Sequence, residues 1–252
     1  HIPHDNDDQT PAALSELSAV RRDVDSQMKR HVNLRNSYHK KARAAKTNES
    51  EDIASMGYPL CVVPVEDVLN MDELLCHEEL RERGYLIEWV PGMESVIFFS
   101  HTWLASKHPD RDGVTLELLQ ALLRSFVKGQ LEVRPSWSHE FYVSGFGKSD
   151  RLAGRISRDE LRSLARGYVW MDYMSIPQRD AALQSRAIVS IPHYVSCAHY
   201  FVVLTGAWAH RGDGSVRGLS AWLSRGWCRM ELLCNALASR FMVKPVIVAT
   251  GS

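Results

Sequence analysis

Four short runs of consecutive apolar residues constrain the fold of this chain more than any other feature. The runs cover residues 95–100, 168–172, 200–204 and 245–249. A short run that is apolar at nearly every position is typical of a strand buried on both faces of a sheet. Between the runs, apolar residues recur at helical spacing over residues 114–127, 181–196 and 227–238. Strands that alternate with helices indicate βαβ units, so we expect an α/β fold with a parallel sheet flanked by helices.

The N-terminal part of the chain has a long helical pattern. Thr10 and Pro11 match a helix N-cap and a first helical position, and apolar residues follow at helical spacing. We therefore expect an amphipathic helix over residues 11–46. Gln27 and His31 interrupt its apolar stripe, so the helix either supports self-association or packs on its own domain.

The pattern changes to alternating strands and helices near residue 85. Residues 61–63 match a short strand, and residues 65–83 match a second helix that stops at Gly84. We therefore expect a helical extension, residues 1–84, followed by an α/β domain, residues 85–252.

Two insertions interrupt the predicted α/β domain, at residues 128–167 and 206–226. The first carries its own short helical pattern, and the second is rich in Gly, Arg and Ser. Connections this long are usually either functional lids or disordered, and the sequence leaves both alternatives open.

Composition narrows the classes of partner and compartment. The 252 residues carry a formal net charge of zero, which argues against nucleic acid or an anionic membrane as the main partner. No apolar run approaches the ~20 residues of a transmembrane helix. The five cysteines are an odd number without zinc-like spacing, which fits a reducing, cytoplasmic setting and predicts no metal site.

Polar and aromatic residues follow the first two predicted strands. Ser100, His101 and Trp103 come after the first, and Asp172 and Tyr173 end the second. Because the carboxyl ends of parallel strands meet at one edge of a sheet, we expect these side chains to share a crevice that could hold a flat ring and a ribose. A turn-forming role for the aspartate and structural roles for the histidine and tryptophan are the alternatives.

One carboxylate, Glu231, lies early in the last predicted helix, within the segment SRGWCRMELL. A helix N-terminus carries partial positive charge, so we expect this carboxylate to be ionised. An ionised, sheltered carboxylate stabilises the positive charge that develops on a sugar when a glycosidic C–N bond breaks. The alternative is a solvated carboxylate that caps the helix or pairs with Arg225 or Arg229.

The segments SVIFFSHTW, YVWMDYMSIPQ, YFVVLTG and SRGWCRMELL, taken in order, resemble the strands and the last helix of Toll/interleukin-receptor (TIR) domains over roughly residues 93–250. The match is strongest at the last segment, which is similar to the family signature S-x-W-C-x-x-E-L. The first two segments also resemble fungal heterokaryon-incompatibility (HET) domains, which are regarded as TIR relatives. The resemblance implies a flavodoxin-like parallel sheet.

The TIR resemblance also implies a function in signalling, immunity or cell death. It implies that the chain cleaves NAD to nicotinamide and either ADP-ribose or cyclic ADP-ribose, with NAD as substrate, no added cofactor, and a homo-oligomer as the working form. Glu231 is then the catalytic residue, and Trp103 is the first candidate for stacking on the ring. The candidate substrate-binding residues are Ser100, His101, Trp103, Asp172, Tyr173, Ser175, Trp227 and Cys228. For Trp227 and Cys228, packing of the helix against the sheet is the alternative.

Two other functions remain open at the level of sequence. One is a non-catalytic TIR- or HET-like module that self-assembles and binds a nucleotide without cleaving it. The other is an enzyme similar to nucleoside deoxyribosyltransferases, which also use a carboxylate on a flavodoxin-like sheet. The chain departs from the TIR pattern in its insertions and in lacking a fifth strand after residues 245–249. Either residues 85–90 fill that edge of the sheet or the sequence is truncated.

Overall fold

The structure is a computed structural model that describes residues 57–130, 156–238 and 246–251. The described residues all fall within the unit Lys46–Ser252. The helix predicted over residues 11–46 and most of the first insertion lie outside the described residues.

A six-stranded sheet forms the centre of the described part of the chain. Its strands are β1 (Cys61–Pro64), β2 (Ile87–Glu88), β3 (Val96–His101), β4 (Tyr168–Met171), β5 (Tyr200–Gly206) and β6 (Val246–Gly251), in the spatial order β2-β1-β4-β3-β5-β6. Strands β4, β3, β5 and β6 are parallel to one another, as the apolar runs predict. Strand β1 is antiparallel to both β4 and β2, so the sheet is mixed rather than wholly parallel.

The segment of residues 85–90 does not fill the edge beside the last parallel strand. Its strand, β2, pairs with β1 at the opposite edge of the sheet from β6. Strand β1 comes from the region predicted as a helical extension, and it extends the sheet through its pairing with β4.

The described helices are α1 (Val65–Leu69), α2 (His77–Glu82), α3 (Val114–Lys128), α4 (Arg158–Leu164), α5 (Asp172–Ser175), α6 (Ala181–Cys197), α7 (Leu219–Ser224) and α8 (Gly226–Ala238). The three helices predicted between the apolar runs are confirmed as α3, α6 and α8, each within about two residues of its expected ends.

The single helix predicted over residues 65–83 is wrong, because the chain forms α1 and α2 with a break between them. Gln120 of α3 donates to the backbone oxygens of Val68 and Met71, at 3.0 and 2.7 Å, and so satisfies carbonyls that a continuous helix would use internally. The second helix then begins afresh, since Glu79 accepts the N–H of Cys76 at 3.0 Å in a capping arrangement.

Helices cover both faces of the sheet and enclose two apolar layers. Alternate residues of β3 point to opposite faces. Ile97 and Phe99 pack with α1, α3 and α4, whereas Val96 and Phe98 pack with α6, α7 and α8. Each large side chain buried in these layers contributes about 1.5–3 kcal/mol to the free energy of folding. The burial of β3 on both faces fixes its carboxyl end, which carries the candidate site.

The second insertion contains the short helix α7 and folds back onto the ends of two strands. The Trp208 ring packs so closely on Gly206 and Gly251 that an added Cβ would come within 2.4 and 2.6 Å of it, respectively. The ion pair between Arg211 and Asp112 ties the insertion to the loop before α3. Across the described ranges, no helix is both long enough and apolar enough to traverse a bilayer.

Candidate functional site

The candidate site is built on the last two residues of the central strand β3, Ser100 and His101. Because side chains alternate along a strand, Ser100 lies on the sheet face of Phe98 and α8, and His101 lies on the face of Phe99 and α3. Each of the two residues binds a different carboxylate. The site therefore has two halves, one on each face of the same strand end.

Glu231 forms the first half together with Ser100 and Trp222. The hydroxyl of Ser100 donates to Glu231 Oε2 at 2.5 Å, and the indole N–H of Trp222 donates to Ser100 Oγ at 3.0 Å. Glu231 is 8% exposed, and its two partners are each 2% exposed. The interpretation of Glu231 as a solvated surface carboxylate is therefore wrong.

Burial raises the pKa of Glu231 to about 8. The hydrogen bond from Ser100 acts in the opposite direction, the charge of Asp172 raises the pKa further, and Arg225 lowers it. The expectation that the helix N-terminus keeps Glu231 ionised is therefore wrong. Glu231 is the sixth residue of α8, and the influence of the helix dipole falls off within the first turn, so desolvation dominates.

Asp172 forms the second half of the site and accepts three hydrogen bonds. Its donors are His101 Nε2 at 2.9 Å, the indole N–H of Trp103 at 2.8 Å and the backbone N–H of Tyr173 at 2.6 Å. Burial acts to raise the pKa of Asp172, but the adjacent imidazole and these donors outweigh it, so that the pKa is lowered. At neutral pH, Asp172 is therefore ionised and Glu231 is mostly protonated.

Aromatic side chains border the Asp172 half. Trp103 and Tyr173 are partly exposed and meet edge to face, with ring centroids 5.8 Å apart. His108 also contacts Tyr173, with ring centroids 5.0 Å apart, and it lines a cavity of about 380 Å³. Partly exposed aromatic edges beside a carboxylate suit a flat, polar ring.

The other residues predicted for substrate binding lie in contrasting environments. Ser175 is 1% exposed and accepts the backbone N–H of Met171 at 3.3 Å, so it supports the turn after β4. Cys228 is buried, its thiol lies 3.8 Å from the backbone oxygen of His101, and burial raises its pKa to about 12. Trp227 is 53% exposed, so the alternative that it packs the helix against the sheet is wrong.

The sequence predicted most members of this site but missed Trp222. Trp222 lies in the second insertion, where a helix of only six residues gives too short a pattern to recognise. The available signal was an apolar pair, Trp222 and Leu223, inside a segment that is otherwise rich in Gly, Arg and Ser. Within the described ranges, no cluster of three or more His, Cys, Asp or Glu side chains could hold a metal ion.

Comparisons with known proteins identified no relative of this chain. No family model matches the chain, and no curated protein or solved structure is significantly similar to it. The geometry of the site and the motif resemblance are therefore the grounds for a functional assignment.

Proposed function

We propose that this chain is an NAD glycohydrolase of the TIR type, with Glu231 as its catalytic carboxylate. The observation that carries the proposal is the 2.5 Å hydrogen bond between Ser100, at the carboxyl end of the central strand, and Glu231 on the last helix. Ligands of open α/β sheets bind at this edge, and the S-x-W-C-x-x-E-L resemblance assigns catalysis to the same glutamate.

The order of the parallel strands supports a flavodoxin-like arrangement. Along the chain, β3, β4, β5 and β6 are the first to fourth parallel strands, and in space they lie in the order second, first, third, fourth. In sheets of this order, the ligand binds at the point where the strand order reverses, between the first and third strands. Ser100 pairs with Val203 across that boundary.

The chemistry needs an anion beside the ribose. When the C–N bond of NAD breaks, its electron pair leaves with nicotinamide, which becomes neutral, and positive charge develops on the sugar. Ionised Glu231 stabilises that charge and accepts hydrogen bonds from the ribose hydroxyls, while Trp103 and Tyr173 contact the nicotinamide ring. Water then bonds to the anomeric carbon and loses a proton to give ADP-ribose, or an adenine nitrogen bonds there to give a cyclic product.

Incubation with NAD at pH 8.5 tests the proposal, with nicotinamide release as the measurement. Glu231→Gln keeps the shape of the side chain and removes its charge, so we expect turnover to fall by about 10²–10³-fold. Glu117→Gln, on an exposed position of α3, is the matched control and leaves turnover unchanged. Equal turnover by Glu231→Gln and the unsubstituted chain would remove the assigned role.

The burial of Glu231 favours a second candidate function, a signalling module that binds a nucleotide and self-assembles without cleaving it. A carboxyl that is 8% exposed, with its pKa raised to about 8, is mostly uncharged at neutral pH. Calorimetry with NAD and light scattering separate the two functions. Binding and assembly without nicotinamide release, including above pH 8, support the module and contradict the hydrolase.

A further inference from the structure

We infer that Trp222 is a positioning residue that directs the hydroxyl proton of Ser100 towards Glu231. The inference deepens the proposed function and rests on it for its catalytic meaning, whereas the hydrogen-bond geometry stands by itself. Trp222 comes from the second insertion, outside the segment that carries the TIR-like signature.

The direction of the two hydrogen bonds follows from the donors that each group possesses. An indole has an N–H and no acceptor, so Trp222 can only donate to Ser100 Oγ, at 3.0 Å. A serine hydroxyl has one proton, and a donor already occupies one of the acceptor positions on Oγ. Ionised Glu231 has no proton and can only accept, so in that state the Ser100 proton is directed to Oε2, 2.5 Å away, where it stabilises the carboxylate.

The fold holds Trp222 firmly enough for this role. Its side chain is 2% exposed within the apolar layer on the α6 and α8 face, and its backbone N–H bonds to Gly218 at 3.0 Å. The chain entering α7 is anchored at Arg217, whose carbonyl accepts the Thr102 hydroxyl at 3.4 Å and whose N–H bonds to Trp208 at 2.7 Å. A buried ring on an anchored segment keeps its N–H aimed at one acceptor.

Four titratable or charged groups interact electrostatically with Glu231. Asp172 and Arg225 act on it by charge, and the thiols of Cys228 and Cys234 lie on its own helix and feel its charge. All four remain in place when the indole N–H alone is removed. The change in Glu231 ionisation on that removal therefore reports on the hydrogen bond.

The test is a direct titration of the Glu231 carboxyl in the full chain. The measurement is carbon-13 NMR on glutamate labelled at the side-chain carboxyl, with the Glu231→Gln spectrum used to assign the signal. Trp222→Phe keeps an aromatic ring and removes the N–H, so we expect the Glu231 midpoint to rise by about one pH unit. Trp170→Phe is the matched control, since Trp170 lies in the same apolar layer and its N–H has no partner among the described residues.

A double-mutant cycle separates positioning from packing. Because Trp222 acts through the serine hydroxyl, Trp222→Phe should leave the midpoint unchanged in a chain that already carries Ser100→Ala. An equal shift with and without Ser100, or no shift in the single variant, overturns the inference. If Trp222→Phe does not fold, a benzothienylalanine at position 222 keeps the indole shape without the donor and replaces it in the cycle.

The catalytic part of the inference has its own readout. If the chain cleaves NAD, the pH at which kcat/KM rises should shift in Trp222→Phe by the same amount as the titration midpoint. If kcat/KM rises at the same pH in Trp222→Phe and in the unsubstituted chain, Trp222 has no role in catalysis. If the unsubstituted chain releases no nicotinamide, the proposed function fails, and the titration alone decides whether Trp222 positions the hydroxyl.

Discussion

Two carboxylates near one strand end have pKa values shifted in opposite directions because their surroundings differ. For Asp172, the charge interaction with the His101 imidazole and three N–H donors outweigh burial and lower the pKa. Glu231 accepts one hydroxyl from Ser100 in a more enclosed position, and its pKa is raised to about 8. Two carboxylates whose surroundings separate their pKa values are typical of sites in which the two groups have different roles.

If Glu231 is the catalytic anion, its raised pKa should appear in the pH dependence of kcat/KM. That parameter follows ionisation of the free enzyme, so it should rise with pH and level off above about pH 8. The rising part, or limb, of the pH profile of kcat should lie at lower pH than that of kcat/KM. The reason is that the positive nicotinamide ring favours the ionised carboxylate once NAD is bound. Steady-state nicotinamide release between pH 5.5 and 9.5 measures both limbs.

Asp172→Asn checks the assignment of that limb to Glu231. The charge of Asp172 raises the pKa of Glu231, so its removal should move the kcat/KM limb to lower pH. A limb at the same pH in Asp172→Asn and in the unsubstituted chain would assign the ionisation to another group.

At the scale of elements, Trp208 and two glycines join the second insertion to the ends of β5 and β6. A Cβ at Gly206 would lie 2.4 Å from the Trp208 ring, which is too short for any real contact. Gly206→Ala should therefore lower the free energy of unfolding by about 1–3 kcal/mol, measured by urea denaturation. Gly226→Ala is the matched control, because nothing lies within 4 Å of its added Cβ.

Removal of the Trp208 ring tests the mechanism by which Gly206→Ala lowers the free energy of unfolding. If steric overlap is the cause, Gly206→Ala should cost much less in a chain that already carries Trp208→Ala, and the two changes should not be additive. An additive pair would indicate that Gly206 matters for its backbone instead.

The sequence predicted elements whose signal is local and missed those that depend on distant contacts. The strand cores were recognisable because each is a continuous apolar run, and Ser100 and Asp172 were recognisable as polar residues at strand ends. The break between α1 and α2 depends on Gln120, which is about fifty residues away. The protonation of Glu231 likewise depends on burial by other elements, which no local pattern records.

At the scale of the whole molecule, the antiparallel strand β1 shows the limit of reading a sheet from alternation. The alternating runs indicated a parallel sheet, and four strands obey that pattern. The segment before them adds β1 and β2 on the β4 side, where an edge strand can pair in either direction. Strand β3, which carries the candidate site, is central because β4, β1 and β2 lie on one side of it and β5 and β6 on the other.

The raised pKa of Glu231 also affects the stability of the whole fold. Its pKa is about 8 in the folded chain and 4.5 for an unburied glutamate, so between these pH values the folded state keeps a proton that the unfolded state has released. Because the folded state binds more protons between these values, this group's contribution to stability is complete below pH 4.5 and is lost as pH rises through 8. Asp172, whose pKa is lowered, stays ionised across the upper part of this window.

Glu231→Gln should therefore remove a pH-dependent cost of folding. We expect it to melt close to the unsubstituted chain at pH 5, where both side chains are uncharged in the folded state, and to be more stable at pH 8.5. Each kcal/mol gained corresponds to roughly 2–4 °C in Tm for a domain of this size. Thermal unfolding at both pH values, with Glu117→Gln as control, measures the difference. A gap between the two chains that is the same at pH 5 and pH 8.5 would show that Glu231 is already ionised in the folded state, and the proposed catalytic anion would then need no rise in pH to form.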